Sequence, residues 1–199
     1  MNRSLFCFGI FFLLLLSCKE KTTIDVAAVD SEIASLKTSA QKRAFLEEMY
    51  RLDQAVRHKL NEQSLKFGYD SEEAKLTTEE MLQTDRINLR KLEKYLEENP
   101  YPESSRLGKT AADAPWLVIH HSGPVAKRNQ YFSLLYEAYL NGNIDDGQMS
   151  LYLERSYDIR HEKRLKMKGP YKSEDQIDLL IKGLDLEEEQ AEILKERNF

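Results

Sequence analysis

Apolar residues three and four positions apart dominate the chain from about residue 45 onward. The first such series consists of Phe45, Met49, Leu52, Val56 and Leu60. This spacing places the side chains on one face of an α-helix, because the helix repeats every 3.6 residues. The pattern therefore predicts one long helix, which we expect to end near Phe67 and Gly68.

A second apolar series consists of Leu82, Leu89, Leu92 and Leu96. Thr77 and Glu80 have the spacing of a capping box, in which side chains bond the free backbone N–H groups at a helix start. We therefore expect the second helix to begin there. Pro100 should end it, because proline cannot continue the backbone hydrogen-bond ladder. A loop is predicted from Tyr101 to Lys109.

Five shorter helices are predicted farther along the chain. The first of them begins at Asp113, so that Pro115 lies in the first turn, where its missing N–H leaves no bond unmade. It ends at His121, and the others cover residues 126–141, a segment starting at Asp145 or Asp146, residues 173–184 and residues 187–197. No strand pattern of useful length, internal repeat or glycine-rich phosphate loop occurs. The expected fold is all-α, a single irregular bundle of about six or seven helices.

The N-terminus has the pattern of a secretory signal. Arg3 precedes an apolar run from Leu5 to Leu16, which is too short to be a stable membrane span. The run ends in Leu-Leu-Ser followed by Cys18, which resembles the lipobox of bacterial lipoproteins. This resemblance implies that Cys18 is acylated and becomes the mature N-terminus. We accordingly divide the chain into a signal peptide (1–17), an acylated cysteine with a flexible tether (18–31) and a helical domain (32–199).

Charge and cysteine content narrow the possible partners. Loss of residues 1–17 removes one charged residue, Arg3, so the net charge changes from −5 to −6. An acidic domain lacks the basic face that nucleic acid requires, so no nucleic-acid partner is predicted. The protein is then held at the membrane through the lipid on Cys18 and not through charge. Since Cys7 leaves with the signal, no thiol remains for a disulfide or a metal–sulfur site.

The residues after Cys18 bear on which membrane the lipid enters. An acidic residue directly after the cysteine retains some bacterial lipoproteins at the inner membrane, and Lys19 stands there instead. The Lys19-Glu20-Lys21 sequence partly resembles the surface-export signals of Bacteroidota lipoproteins. We therefore expect a lipid-anchored protein of the cell envelope, at the outer membrane, with the leaflet left open.

Asp85 is the strongest site signal in the pattern. It falls at the centre of the apolar face of the second predicted helix, where another leucine is expected, and Asn88 lies at the border of that face. A buried carboxylate needs a cation or several hydrogen-bond donors. The alternative is that the edge of the apolar face reaches solvent at Asp85.

Two other polar groups are candidates for the same site. Asp53 and Arg57 lie four residues apart, which commonly indicates a surface ion pair, but Arg57 is also a candidate counter-charge for Asp85. His120 and His121 end an apolar helix, where one ring can face inward and the other water. Histidines in that position more often pack or cap than catalyse. The chain lacks a His-Glu-x-x-His motif, and we predict neither a metal site nor a cofactor.

Several motifs follow one another in the chain: Asp53-Gln54-x-x-Arg57, Asp85-x-x-Asn88, the loop 102–108, an alanine-rich stretch 111–114 leading into Trp-Leu-Val-Ile-His-His-Ser, Gln130, and Leu153-Glu154-Arg155. In this order they resemble the bacterial domain of unknown function numbered six-six-two-four, a helical family whose members are often secreted or lipid-anchored. The resemblance spans about residues 45–160. It departs in two places: an aspartate–arginine pair of the family is glutamate–arginine here, and a Gln-x-Tyr-Gly-Thr-Gln segment is missing. It implies no particular activity, but it implies site residues at Asp53, Gln54, Arg57, Asp85, Asn88, His121, Gln130, Glu154 and Arg155.

Three functions remain open from the sequence. The first is a binding or interaction module whose polar cleft takes a small ligand or an envelope protein. The second is a hydrolase or transferase in which His121 is the general base, Asp85 or Asp53 orients it, and Arg57 or Arg155 steadies an anion. The third is a purely structural network of buried polar groups.

Overall fold

The computed structural model describes residues 24–165 and 173–197, with the side chains of 173–175 excepted. Within these ranges every regular element is a helix, so the all-α prediction is confirmed. The described residues form ten helices instead of six or seven, because short helices occur where loops or one longer helix were expected. They are α1 (Val26–Ala34), α2 (Ser39–Phe67), α3 (Glu72–Glu98), α4 (Ser104–Leu107), α5 (Lys109–His121), α6 (Val125–Asn129), α7 (Phe132–Leu140), α8 (Asp146–His161), α9 (Ser173–Gly183) and α10 (Glu187–Arg197).

Helices α2 and α3 form a long antiparallel hairpin. At one end the rings of Phe45 and Tyr95 stack with centroids 5.8 Å apart, and toward the other end Lys59 pairs with Glu80 at 2.5 Å. The predicted start of α3 was wrong. Ser71 caps the helix by accepting a hydrogen bond from the Ala74 N–H, so α3 begins well before Thr77 and Glu80.

Part of the predicted tether is helical. Asp25 accepts a hydrogen bond from the Ala28 N–H and caps α1, whose residues Val29 and Ile33 are buried. The helix has only nine residues, so its apolar face contains too few positions to stand out in the sequence. Residues 1–23, which include Cys18 and the predicted signal peptide, lie outside the described residues.

Helix α5 crosses the interior of the molecule. It begins at Lys109, earlier than expected, and therefore holds Pro115 in its middle instead of its first turn. Every residue from Ala114 to Ile119 is buried. A helix buried on nearly all sides shows little amphipathic periodicity, which is why its start was misplaced.

The predicted fourth helix is two helices, α6 and α7, separated at Gln130 and Tyr131. The carbonyl of Arg128 accepts from the Tyr131 N–H at 2.9 Å and from the Tyr152 hydroxyl at 2.8 Å, which closes a tighter turn at this point. The start of α8 is confirmed, because Asp145 and Gln148 form a capping box there.

Two clusters of apolar residues form the core. The larger one joins α5, α7, α8, α9 and α10, and the smaller one packs α1 against α2, α3 and α5. Two predicted core positions on the hairpin, Leu52 and Leu82, are exposed instead. Among the described helices, none is long and apolar enough to cross a bilayer.

Candidate functional site

Five polar side chains from α2, α3 and α5 meet around one buried carboxylate. Asp53 is only 1% exposed, and its Oδ1 lies 2.9 Å from both Arg57 Nη1 and His121 Nδ1. Its Oδ2 accepts a hydrogen bond from Gln54 Nε2 at 2.8 Å. We call these four residues together with Asp85 the polar cluster. Asp53 thus has the several donors that a buried carboxylate requires.

Arg57 connects the two carboxylates of the polar cluster. While its Nη1 contacts Asp53, its Nη2 lies 2.9 Å from Asp85 Oδ1 and 3.0 Å from Oδ2. The partnership predicted for Asp85 is therefore confirmed, and the alternative of a carboxylate facing bulk solvent is wrong. The side chain of Asp85 is 12% exposed.

Burial changes the acidity of Asp85. Loss of hydration raises the pKa of Asp85 above its ordinary value, and the nearby Arg57 guanidinium opposes this rise without cancelling it. The charge of Asp53 adds a smaller increase. The polar cluster holds two carboxylates against one guanidinium, so its charge balance favours a further positive or hydrogen-bond-donating group.

One side of the polar cluster reaches solvent. Gln54 is exposed, Arg57 is 21% exposed and His121 is 13% exposed. Beside Arg57 lies an open depression of about 280 Å³, lined by Arg57, Leu60, Asn61, Ser64, Tyr69 and Thr78. The cluster is therefore anchored at the buried Asp53 and accessible at its opposite edge.

Other predicted site residues lie outside this cluster. Asn88 is buried and donates to the Met49 carbonyl at 3.3 Å, which ties α3 to α2. Gln130 is exposed in a separate groove beside Tyr131. The resemblance therefore grouped residues that the structure places in several different regions.

The glutamate–arginine pair on α8 also lies elsewhere. Glu154 accepts a hydrogen bond from Gln176 of α9, and burial, followed by the charge of Asp158, raises the pKa of Glu154. Arg155 is exposed. The charge of Arg155 nevertheless lowers the pKa of His120, which precedes His121 on α5.

The two adjacent histidines have different surroundings. His121 contacts Asp53, whereas the ring of His120 stacks on Trp116 with centroids 5.2 Å apart. Burial, together with the charges of His121 and Arg128, lowers the pKa of His120 to about 3. His120 is therefore neutral at ordinary pH, and only His121 belongs to the polar cluster.

Arg128 is the important polar residue that the sequence pattern did not reveal. Its side chain is fully buried, yet the groups to which it donates hydrogen bonds are neutral. The guanidinium donates to the carbonyls of Ile119, His120 and Tyr152 and to the Ser156 hydroxyl. Three of these acceptors are backbone atoms, which no sequence motif identifies. Arg128 thereby holds the last turn of α5, which carries His121.

Two further comparisons concern the site: the arrangement of side chains that could bind a metal, and the similarity of the chain to known proteins. Among the described residues, no group of three histidine, cysteine, aspartate or glutamate side chains is arranged to hold a metal ion. No protein-family model matches the chain, and no curated protein or solved structure matches it significantly.

Proposed function

We propose that this protein is a lipid-anchored module of the cell envelope that binds a small polar ligand or a segment of an envelope protein at the exposed edge of the polar cluster. The observation that carries the proposal is the position of Asp53. It is buried, and it holds both Arg57 and His121 at 2.9 Å. Side chains held in this way lose little conformational freedom when a ligand binds, which favours affinity.

The geometry indicates how such a ligand would be held. Because His121 contacts Asp53 through Nδ1, its Nε2 is the nitrogen left for a ligand. Gln54 and Arg57 border the same exposed edge, next to a depression that also contains the apolar side chains Leu60 and Tyr69. A ligand with one hydrogen-bonding group and a short apolar part fits these lining residues.

Native mass spectrometry of the full chain, extracted in mild detergent from its own host, tests this proposal. We expect a copurifying small molecule or peptide on the wild-type protein. His121→Gln should lose it, whereas His58→Gln, which changes an exposed histidine on α2, should keep it. A wild-type spectrum showing only the acylated chain would contradict the proposal.

The anchor is a separate part of the proposal. Acylation of Cys18 with two or more chains gives stable attachment, whereas one chain binds a membrane only marginally. We expect labelled palmitate to enter the wild-type protein and not Cys18→Ser, and the labelled protein to sediment with outer membranes. Label on Cys18→Ser would contradict the assignment of the modified residue. The proposed membership of the domain family numbered six-six-two-four is consistent with an anchored protein.

A second candidate function is a hydrolase or transferase. It is supported by the contact between Asp53 and His121 Nδ1, which orients an imidazole as a general base does in many hydrolases. Asp85 contacts Arg57 instead, so Asp53 would be the orienting carboxylate. Ser122 is buried and its hydroxyl donates to the Ile119 carbonyl, so an activated water would be the nucleophile.

Turnover of p-nitrophenyl acetate and p-nitrophenyl phosphate tests the second candidate. Removal of a general base costs about 100-fold or more in rate, so His121→Gln should lose the activity while His58→Gln retains it. Equal rates for both variants would reject the hydrolase or transferase candidate.

The remaining alternative is that the polar cluster serves only to fix helix packing, which its internal hydrogen bonds also support.

A further inference from the structure

The two most exposed large apolar side chains of the described residues, Tyr69 and Leu65, both lie at the turn between α2 and α3. Leu65 is 72% exposed, Tyr69 is 76% exposed, and Phe67 and Leu76 are about half exposed. We call these four side chains the hairpin tip. Single exposed apolar residues are ordinary, but four within 12 residues of sequence at one end of a hairpin indicate a contact surface.

The hairpin tip lies far from the two apolar clusters of the core. Helix α2 has 29 residues, which corresponds to about 43 Å at 1.5 Å per residue. The stacked rings of Phe45 and Tyr95 mark the end of the hairpin that packs against α1 and α5, and the tip is at the opposite end. The tip therefore projects away from the two apolar clusters.

The start of the described chain points toward the hairpin tip. Two ion pairs join α1 to α3, Asp30 to Arg90 at 3.6 Å and Glu32 to Lys91 at 2.7 Å. Four residues connect the end of α1 to the start of α2, at the Phe45–Tyr95 end of the hairpin, so the last residue of α1 lies near that end and its first residue, Val26, lies nearest the tip. If both helices rise equally, Val26 is level with residue 85, about 22 Å from the turn.

The length of chain before Ile24 matches this separation. Five residues lie between Cys18 and Ile24, and the six extended Cα–Cα steps span about 22 Å at most. A lipid on Cys18 can therefore lie in the same plane as the hairpin tip. This geometry selects one partner for the exposed apolar surface, namely the bilayer that holds the lipid.

We propose that the hairpin tip inserts into the interface of the bilayer to which Cys18 is anchored. The inference rests on the acylation proposed above. Aromatic and aliphatic side chains suit that interface, because they bury apolar area there. A polar group on such a side chain, the Tyr69 hydroxyl, stays hydrated. The charged residues around the tip are two lysines and three acidic residues, Lys66, Lys75, Asp70, Glu72 and Glu73. Since this balance is not positive, apolar contact and not attraction to anionic lipid supplies the binding.

This orientation also places the polar cluster with respect to the membrane. Ten residues of α2 separate Arg57 from Phe67, so Arg57 lies about 15 Å from the inserted end. The depression beside Arg57 extends toward Tyr69 of the hairpin tip. A ligand that binds in this depression would accordingly lie close to the lipid headgroups.

Depth-dependent fluorescence quenching tests the proposal on the full acylated chain. With Cys18 acylated and Cys7 removed with the signal, a cysteine introduced as Asp70→Cys is the only free thiol and can carry an environment-sensitive dye. Ala44→Cys, exposed on α2 near its other end, provides the matched control. Both proteins are reconstituted in phosphatidylcholine vesicles containing a lipid spin-labelled near the top of its acyl chain.

We expect the dye at position 70 to lose about half of its fluorescence and the dye at position 44 to lose almost none. Adding Phe67→Ser and Tyr69→Ser to the labelled Asp70→Cys chain should abolish most of the quenching. Equal quenching at the two positions would overturn the proposal, as would a partner protein or second copy covering the tip instead of lipid.

Flotation of the same vesicles separates the two proposals. Protein that floats with the vesicles but shows no quenching at position 70 retains its lipid anchor and refutes the inserted tip. Protein that does not float refutes both acylation and insertion.

Discussion

Two arginines are withdrawn from water in this domain, and their surroundings differ. Arg57 lies between two carboxylates and keeps 21% of its side chain exposed. Arg128 is fully buried, and its guanidinium contacts three backbone carbonyls, one hydroxyl and the face of the Tyr152 ring at 5.1 Å. The charge of Arg57 is balanced by two carboxylates, whereas the charge of Arg128 is stabilised by oriented dipoles.

The difference shows what each arginine can do. Ile119 and His120 lie in the last turn of α5, where free carbonyls carry the negative end of the helix dipole, so Arg128 stabilises a helix end. Burial lowers the pKa of Arg128 to about 10, which still leaves it charged at neutral pH. All three nitrogens of its guanidinium donate to groups inside the domain, whereas Arg57 borders solvent. Arg57 therefore suits ligand binding, and Arg128 suits the positioning of α5.

The largest expected effect is on Arg128. Arg128→Met removes four buried hydrogen bonds made by the guanidinium and should lower the free energy of unfolding by about 3–5 kcal/mol. Arg86→Met, which changes an exposed arginine on α3, should change it by less than about 0.5 kcal/mol. Urea denaturation followed by circular dichroism measures both. Similar midpoints for the two variants would show that the dipolar contacts of Arg128 contribute little.

A smaller, pH-dependent effect is expected at Arg57. Arg57→Met leaves Asp53 and Asp85 without a shared cation and should cost about 2 kcal/mol at pH 7. The pKa of Asp85 is already raised, so in the folded variant this carboxyl is protonated first as the pH falls. Once it is neutral it no longer needs Arg57, and the deficit relative to wild type should shrink between pH 7 and pH 4. A deficit that grows on acidification would contradict this explanation.

The two carboxylates bound by Arg57 should also differ from each other. Asp85→Asn removes an attraction to Arg57 together with an opposing cost of burial, so we expect a change of less than about 1 kcal/mol in unfolding free energy. Asp53→Asn removes the partner of both Arg57 and His121 and should cost more, about 2 kcal/mol. Thermal melts of both variants at pH 7 provide the comparison. The reverse order would mean that Asp85 and not Asp53 organises the polar cluster.

No titration is expected for the ring of His120 near neutral pH. The pKa of His120 is about 3, lowered by burial and by the charges of His121, Arg128, Arg155 and Arg57. Its ring resonances in a heteronuclear NMR spectrum should therefore stay constant from pH 8 to pH 4.5, with His120→Gln identifying the signals. A titration within that range would show that the ring is more hydrated than its contact with Trp116 indicates.

Much of the polar cluster was predictable from one helix at a time. Asp85 occupies a leucine position in α3, which indicated a charge on a buried face, and Arg57 was a candidate counter-charge for it. The four-residue spacing of Asp53 and Arg57 alone commonly indicates a surface ion pair. The contact of Asp53 with His121 was only one of two alternatives, because it joins side chains 68 residues apart. Leu82, on the same series as Asp85, was expected in the core and is exposed.

The sequence by itself determined that the described chain is helical and which long segments form the hairpin, because the 3.6-residue repeat is a local property. It also indicated that Asp85 needs a cation. Tertiary structure decided which carboxylate holds His121, why the helix breaks at Gln130 and how Arg128 is satisfied. The physical reason is that periodicity reports which face of a helix is apolar, whereas burial and hydrogen bonding depend on the neighbouring helices and their backbone carbonyls.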